Sequence, residues 1–426
     1  MIARLARAAY SLLLRVGLPL YLLRVLRRGR SEPLYATVIG ERVGRYRAAA
    51  RPGALWIHAV SLGETRAAGP LIDALRLAMP GRALLLTHGT ATGRSAGQSL
   101  LKEGEAQAWL PFDTPGAVRR FFDHFAPVAG VLMETEIWPN LLAEARARGV
   151  PMLLANARMS ERSRRRGRRV DTLLRPAFES LAAAFAQTEA DAARLREAGV
   201  CEVSVEGNLK YDIAPDLALI ACGRQWKLGL HGRGVVLGAV TREGEEASLL
   251  AAWHAVALPR PLLVIAPRHP QRFEAVAGLV AASGFSLERR SQWGETPPAR
   301  AVDADVWLGD SMHEMPVWYT LADVALLGGS FEPLGGQNLI ESAACGCPIV
   351  MGAHTFNFAQ AAELALAAGA GVRARTMAEG VACAVAIGSG DERRRRAEAA
   401  LAFAAAHRGA ASRMAEKISC ATTRAA

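Results

Sequence analysis

Acids, cations and glycines in this chain gather where apolar runs end. HAVSLGET (58–65) places Ser61, Gly63 and Glu64 at a strand-to-helix turn. A carboxylate there can be aimed outward to take a proton from a hydroxyl group. The same residues suit a helix start, with Ser61 as N-cap and Glu64 against the helix dipole, so capping stands beside the base role. METEIWPN (133–140) sets two acids, Glu134 and Glu136, at the end of another apolar run. An unpaired buried carboxylate is costly, so acids abutting a buried strand point to a chemical task. NARMSERS (156–163) adds Arg158, a candidate anion ligand, and GNLKYD (207–212) adds Lys210 in a turn-rich segment.

The second half carries a different set. APRHP (266–270) fixes Arg268 and His269 between two prolines, and GDSMHEMPVW (309–318) presents Met312, His313 and Glu314. GGSFEPLGGQNLIE (328–341) has two glycine pairs, the second being Gly335 and Gly336, before a helix expected to begin near Gln337. Bare backbone N–H groups at a helix start bind phosphate without a cationic side chain. Glu341, one turn in, is placed to accept both hydroxyl groups of a ribose. The ligand class expected here is a nucleotide.

The elements that must position these groups follow from the hydropathy pattern. Short apolar runs at 54–60, 83–89, 106–111, 128–135, 151–157 and 182–187 alternate with helix-length segments, and the alternation resumes at 234–240, 261–267, 306–310, 324–329 and 348–352. Strict alternation implies parallel βαβ units. The fold class expected is therefore α/β, two Rossmann-like doubly wound domains facing a cleft. Residues 31–205 form the first domain, 206–215 a linker and 216–426 the second domain, whose last helix can pack back on the first. A chain of 426 residues exceeds what one core supports, in agreement with two domains.

Residues 1–30 stand apart. The apolar stretch from Ala8 to Leu23 is interrupted by Arg15 and Pro19 and flanked by Arg4, Arg7, Arg24, Arg27, Arg28 and Arg30. It is marginal for spanning, which takes roughly 20 apolar residues, and suits an anchor or a helix lying in the interface. The net charge of +11 favours phosphates as partners, and the absence of a nucleic-acid-binding motif points to lipid or metabolite phosphate rather than nucleic acid. Six cysteines lack paired spacing, read as small buried thiols in a reducing cytosol.

HAVSLGET, LPFDTP (110–115), METEIWPNL, NARMSERS, GNLKYD, TREGEE (241–246), APRHPQRF, GDSMHEM and GGSFEPLGGQNLIESAACGCPIV together resemble the bacterial 3-deoxy-D-manno-octulosonic acid (Kdo) transferases, in order and from the N-terminus to about residue 370. The resemblance implies a membrane-anchored glycosyltransferase of GT-B architecture. It would move Kdo from CMP-Kdo to a tetra-acylated lipid A precursor, with inversion, at the cytoplasmic face of the inner membrane. It further implies Glu64 as proton acceptor and Glu134 and Lys210 as transition-state stabilisers. CMP contacts fall on Arg268 and His269, on Met312 to Glu314, and on Asn338, Leu339, Ile340 and Glu341. No metal or other cofactor is expected. Two readings stand beside it: a nucleotide-sugar epimerase of similar build, and a non-catalytic protein that binds lipid A or the membrane surface. Three departures from the family pattern, His88, Val240 and His313, are expected beside the ligand and to bear on specificity.

Overall fold

The computed structural model describes residues 1–47, 51–388 and 390–425. Two units divide the chain: Met1–Ile213 with Arg408–Ala426, and Ala214–His407. In the first unit the apolar runs form β1 (Leu55–His58), β2 (Leu84–His88), β3 (Ala106–Trp109), β4 (Ala129–Met133), β5 (Met152–Ala157), β6 (Ala183–Ala186) and β7 (Val203–Val205). They make one parallel sheet of order β3-β2-β1-β4-β5-β6-β7. Every residue of β1, β2, β4 and β5 is buried. Helices cover both faces of such a sheet, which is why its strands read as continuous apolar runs rather than alternating ones.

The second unit repeats the plan with β8 (Val235–Thr241), β9 (Leu262–Pro267), β10 (Leu287–Arg289), β11 (Val306–Leu308), β12 (Val324–Leu327), β13 (Ile349–Met351) and β14 (Gly371–Arg373). Their order is β10-β11-β9-β8-β12-β13-β14, again parallel. In each sheet the strand order reverses beside the first strand, at β1/β4 and at β8/β12. Ligands of open α/β sheets bind beyond the strand carboxyl ends at such a reversal. Glu64 follows β1 and Glu134 follows β4, so strand pairing brings the two acids to one place.

Two boundaries differ from expectation. Residues 206–213 are not a free linker, since Glu206 and Leu209 are 4% and 0% exposed. The second domain also ends at His407 rather than at 426. The last helix, Ala410–Ala425, buries Met414 and Ile418 with Leu71 and Leu75 of the helix Leu62–Ala78 in the first unit. Asp212 caps it, accepting from the Gly409 and Ala411 N–H groups at 2.5 and 2.7 Å.

The N-terminal helix, Ile2–Arg28, is two-faced. Its inner face is pinned to the first unit by Tyr10 O–H to Asp113 (3.0 Å), Ser11 O–H to Asn140 (3.0 Å) and the Arg42 guanidinium to the Tyr21 oxygen (2.9 Å). Tyr21 also stacks on Phe112 at 4.4 Å. Leu12, Leu13, Val16 and Leu20 on the outer face are 61–72% exposed. Among the described residues this is the helix long and apolar enough to cross a membrane, by length and composition.

His88 departs from its expected place in a ligand loop: it is 1% exposed, inside the fold. Its Nδ1 lies 3.1 Å from the Ala59 carbonyl, while His58 Nδ1 lies 2.9 Å from Thr87 Oγ1. Burial holds the His58 and His88 imidazoles down to about 3 and about 4, with the His88 charge adding to the effect on His58 and the Arg94 charge to that on His88. Both pKa values are depressed, so the folded state refuses protons that an unfolded histidine takes up below about 6.5. Stability from this source is full above that pH and is lost progressively towards the folded values. The fall in unfolding temperature between about pH 7 and about pH 5 should be smaller in His88→Gln than in the parent. Equal falls, read by circular dichroism, would remove His88 from the cause.

Candidate active site

The first unit assembles a carboxylate cluster from two turns, those after β1 and β4. Ser61 caps the helix Leu62–Ala78, its hydroxyl oxygen accepting from the Glu64 N–H at 3.4 Å. Glu64 reaches back, accepting from the Val60 N–H at 2.7 Å and from the Ser61 hydroxyl at 3.0 Å. Capping and chemistry are therefore not alternatives: the reciprocal cap fixes the carboxylate at the end of β1. Half-burial raises the Glu64 pKa above the ordinary carboxylate value, the Glu134 charge raises it further, and the Val60 N–H partly offsets both. Glu136 is pushed up to about 7, by burial first and then by the charge of Glu64. A carboxylate with a raised pKa inside a site of like charges is a base ready to hold a proton near neutrality.

Backbone geometry supports the arrangement. Glu134 adopts φ +58°, and Asn156 at the end of the neighbouring β5 adopts φ +53°. Left-handed backbone at a non-glycine residue is uncommon and clusters at functional sites. Asn156 Oδ1 accepts from the Leu209 N–H at 3.1 Å, and Asn208 Oδ1 accepts from the Lys210 N–H at 3.0 Å. The first bond ties the short helix Leu209–Asp212, and with it Lys210, to the end of β5, and the second caps that helix. The Arg158 carbonyl accepts from the Thr135 hydroxyl, joining the β4 and β5 loops, while the Arg158 side chain is exposed. Gly63 is exposed, and a Cβ there would meet nothing closer than Ser61 Oγ, at 3.9 Å.

In the second unit, Arg268 and His269 stand exposed at the end of β9. Partial burial, together with the Arg242 and Arg268 charges, holds the His269 imidazole below its ordinary value. Arg242 thus joins a cationic group that the motifs marked only in part; its position directly after β8 in TREGEE is the signal that could have found it. Met312 and His313 are exposed, whereas Glu314 is engaged by Arg290 in a two-pronged pair at 2.8 and 3.0 Å.

The glycine-rich loop needs a corrected account. The helix after it begins at Leu339 rather than near Gln337, with Asn338 as its N-cap. Leu339 and Ile340 are 0% and 2% exposed, so their side chains belong to the core and only their backbone can face a ligand. The glycines already have structural reasons. A side chain at Gly328 would sit 2.2 Å from the Val240 carbonyl oxygen, and Gly335 has φ +91° with Asn357 2.3 Å from where its Cβ would lie. Moreover, the fully buried Glu245 accepts from the N–H groups of Gly329 (2.7 Å), Phe331 (3.1 Å) and Arg242 (2.9 Å). The first glycine pair wraps the protein's own carboxylate.

Two of the departures gain a physical meaning here. Val240 has φ +55° and His313 has φ +68°, so both occupy positions where a residue without a β-branch or a bulky side chain costs less. The cysteines are free; Cys347 is buried, whereas Cys201 and Cys420 are exposed, unlike the buried thiols expected of all six.

Glu136 offers a test of the cluster's electrostatics. Its pKa is raised on folding from 4.5 to about 7, so the folded chain holds the extra proton and stability falls as pH rises through that window. Glu136→Gln should raise the unfolding temperature at about pH 8 and change it little at about pH 4. An equal shift at both pH values would show that packing, not charge, sets the effect.

Residues 37–213 match the family model described as 3-Deoxy-D-manno-octulosonic-acid transferase (kdotransferase). A 3-deoxy-D-manno-octulosonic acid transferase of Bordetella pertussis is 47% identical over 377 residues, 85% of this chain and 87% of that protein. Its counterpart in Haemophilus influenzae is 33% identical over 83% of this chain and 84% of its own length. Among solved structures, a glycosyltransferase from Rickettsia africae superposes with a TM-score of 0.56 at 12% identity, covering 88% of this chain and 100% of that one. That likeness speaks for the GT-B architecture alone. With the two sheets, the strand-end acids and these identities together, the chain belongs to the 3-deoxy-D-manno-octulosonic acid transferase family of glycosyltransferases.

Proposed function

We propose that this Kdo transferase takes its sugar from CMP-Kdo and delivers it to a hydroxyl group of an acylated, phosphorylated lipid A precursor, with inversion at the anomeric carbon. The observation that carries the reading is the Glu64 carboxylate, fixed by Val60 and Ser61 and raised in pKa. Glu64 takes the proton of the acceptor hydroxyl as its oxygen bonds to Kdo C2. The bond from C2 to the phosphate oxygen breaks and CMP departs with the electron pair. Glu134 and Lys210 stabilise the charge that develops, and open Gly63 admits the acceptor beside the base, with Ser61 and Arg158 as further acceptor ligands.

The second unit holds the cytidylate. Arg268 and His269 face its phosphate, and the segments Met312–Glu314 and Asn338–Glu341, with Gly335 and Gly336, contact the nucleoside. Arg290 fixes Glu314 for that task. Donors placed before the reaction where charge will appear are the most effective kind. Proton transfer and charge stabilisation are all supplied by side chains in this scheme, and no metal is assigned a step. An epimerase would require no lipid-facing helix, and family membership favours transfer over it and over a non-catalytic binder.

Glu64→Gln keeps the shape of the cap but cannot accept a proton. It should lower kcat by about 10²–10⁴-fold while leaving CMP affinity near that of the parent. Turnover within a few-fold of the parent, measured with CMP-Kdo and lipid A precursor by mass spectrometry, would remove Glu64 from the base role.

The N-terminal helix holds the enzyme at the cytoplasmic face of the inner membrane. Its polar inner contacts and exposed apolar outer face suit a helix lying in the interface, where the flanking arginines meet lipid phosphates. Replacing Leu13, Val16 and Leu20 together by Gln, which touches no buried contact, should move the protein off anionic vesicles in sedimentation. Unchanged vesicle binding would place the anchor elsewhere.

A further inference from the structure

Behind the β4 carboxylate loop lies a cavity of about 220 Å³ that the transfer chemistry does not use. Ile137, Met159, Leu174, Phe178 and Ala198 form its apolar wall. Thr135 and Ile137 line it from the same loop that carries Glu134 and Glu136, so its mouth is a few residues from the carboxylate cluster. The helix Glu161–Arg168 crosses it, with Ser163, Arg164 and Gly167 on the cavity side and Arg162, Arg165, Arg166 and Arg168 exposed around it. Arg164 is 5% exposed and paired with Asp171 at 3.3 Å and, through its Nε, with the Glu197 carboxylate at 3.6 Å. The next helix, Asp171–Phe178, turns Leu174 and Phe178 to this cavity and packs against the N-terminal helix. The cavity is thus one helix away from the exposed apolar face assigned above to the membrane.

We infer that this cavity receives hydrocarbon from one acyl chain of the acceptor, while the arginines around it meet the acceptor's phosphates. The inference rests on the transferase reading and deepens it. A hydrophobic wall, a cationic rim and a base close by match the three parts of one amphiphile: acyl chain, phosphate and hydroxyl. A soluble sugar matches only the last. A nucleotide would leave the apolar wall uncovered. Each methylene group buried there is worth roughly a factor of four in affinity, so a few decide whether a chain is held. The cavity would act as a selector for acylated acceptors and would hold the sugar hydroxyl near Glu64 by restraining the chain attached to it.

Gly167 gives a way to fill the cavity. A Cβ there would meet only Leu174 Cδ1, at 3.8 Å, beyond its own helix, so the first carbon of a side chain fits beside the cavity wall. For Gly167→Leu, the ratio of kcat/KM on the acylated precursor to kcat/KM on its deacylated, still phosphorylated sugar should fall at least about tenfold. Most of the change should appear in KM. A ratio unchanged from the parent in a variant that folds, by circular dichroism, would overturn the inference. A second measurement does not depend on turnover or on the variant. An acceptor analogue with a photoreactive diazirine at the end of an acyl chain should label peptides within Met159–Phe178 of the parent protein. Labelling confined to other segments would overturn the inference, whether or not Kdo is transferred. Labelling here in a protein that transfers no Kdo would sink the transferase reading and leave the cavity's role standing.

Discussion

Three carboxylates, Glu64, Glu134 and Glu136, share the space beyond two paired strands, and the first unit is organised around keeping them there. Burial first, and then repulsion between like charges, raises the Glu64 and Glu136 pKa values, that of Glu136 to about 7. Left alone, the side chains would swing towards water. Reciprocal capping prevents that at Glu64, and a left-handed backbone at Glu134 fixes the direction of the second acid. The register that pairs His58 with Leu132 sets the spacing of the two strand ends. The left-handed backbone costs some stability, and the all-buried strands beneath supply the rigidity that tolerates it.

The second unit solves a related problem with the opposite sign. Its loop after β12 needs N–H groups turned to one side, and the protein holds them by burying an anion of its own. Glu245 collects two of them, from Gly329 and Phe331, and a third N–H from Arg242 after β8. Glu246 beside it is equally buried and pairs with Arg272 at 2.9 Å. Two adjacent acids in TREGEE are therefore scaffolding, and the half-buried Arg242 and the exposed Arg268 and His269 are left outside it. The division between buried acids and outlying arginines suits this side of the unit to an anion.

Much of this was legible in the sequence, and the failures have physical reasons. Long apolar runs announced the central strands because parallel sheets are covered on both faces. β7, β10 and β14 went unread: each is an edge strand of three residues, half-covered and mixed in character, with too little periodicity to separate it from a turn. The cap at Glu64 was legible, because a Ser followed three residues later by a Glu is the pattern of a helix start, and Ser61 and Glu64 make that pair of bonds. The glycine pairs were read as room for a phosphate, but their positive φ values and close neighbours depend on the path of the chain, which residue spacing does not reveal. Leu339 and Ile340 came in with a motif whose backbone and whose side chains face different ways. The return of the last helix was named as an option, yet its partners Leu71 and Leu75 sit more than three hundred residues earlier, beyond any local signal.

That returning helix has a consequence for how the polypeptide matures. The apolar side of Leu62–Ala78 that it covers is made early on the ribosome, while Met414 and Ile418 follow more than three hundred residues later. Until that helix is made, the nascent first half carries an unsheathed greasy strip. Quality control that samples such strips would therefore read this enzyme as unfinished until the helix arrives.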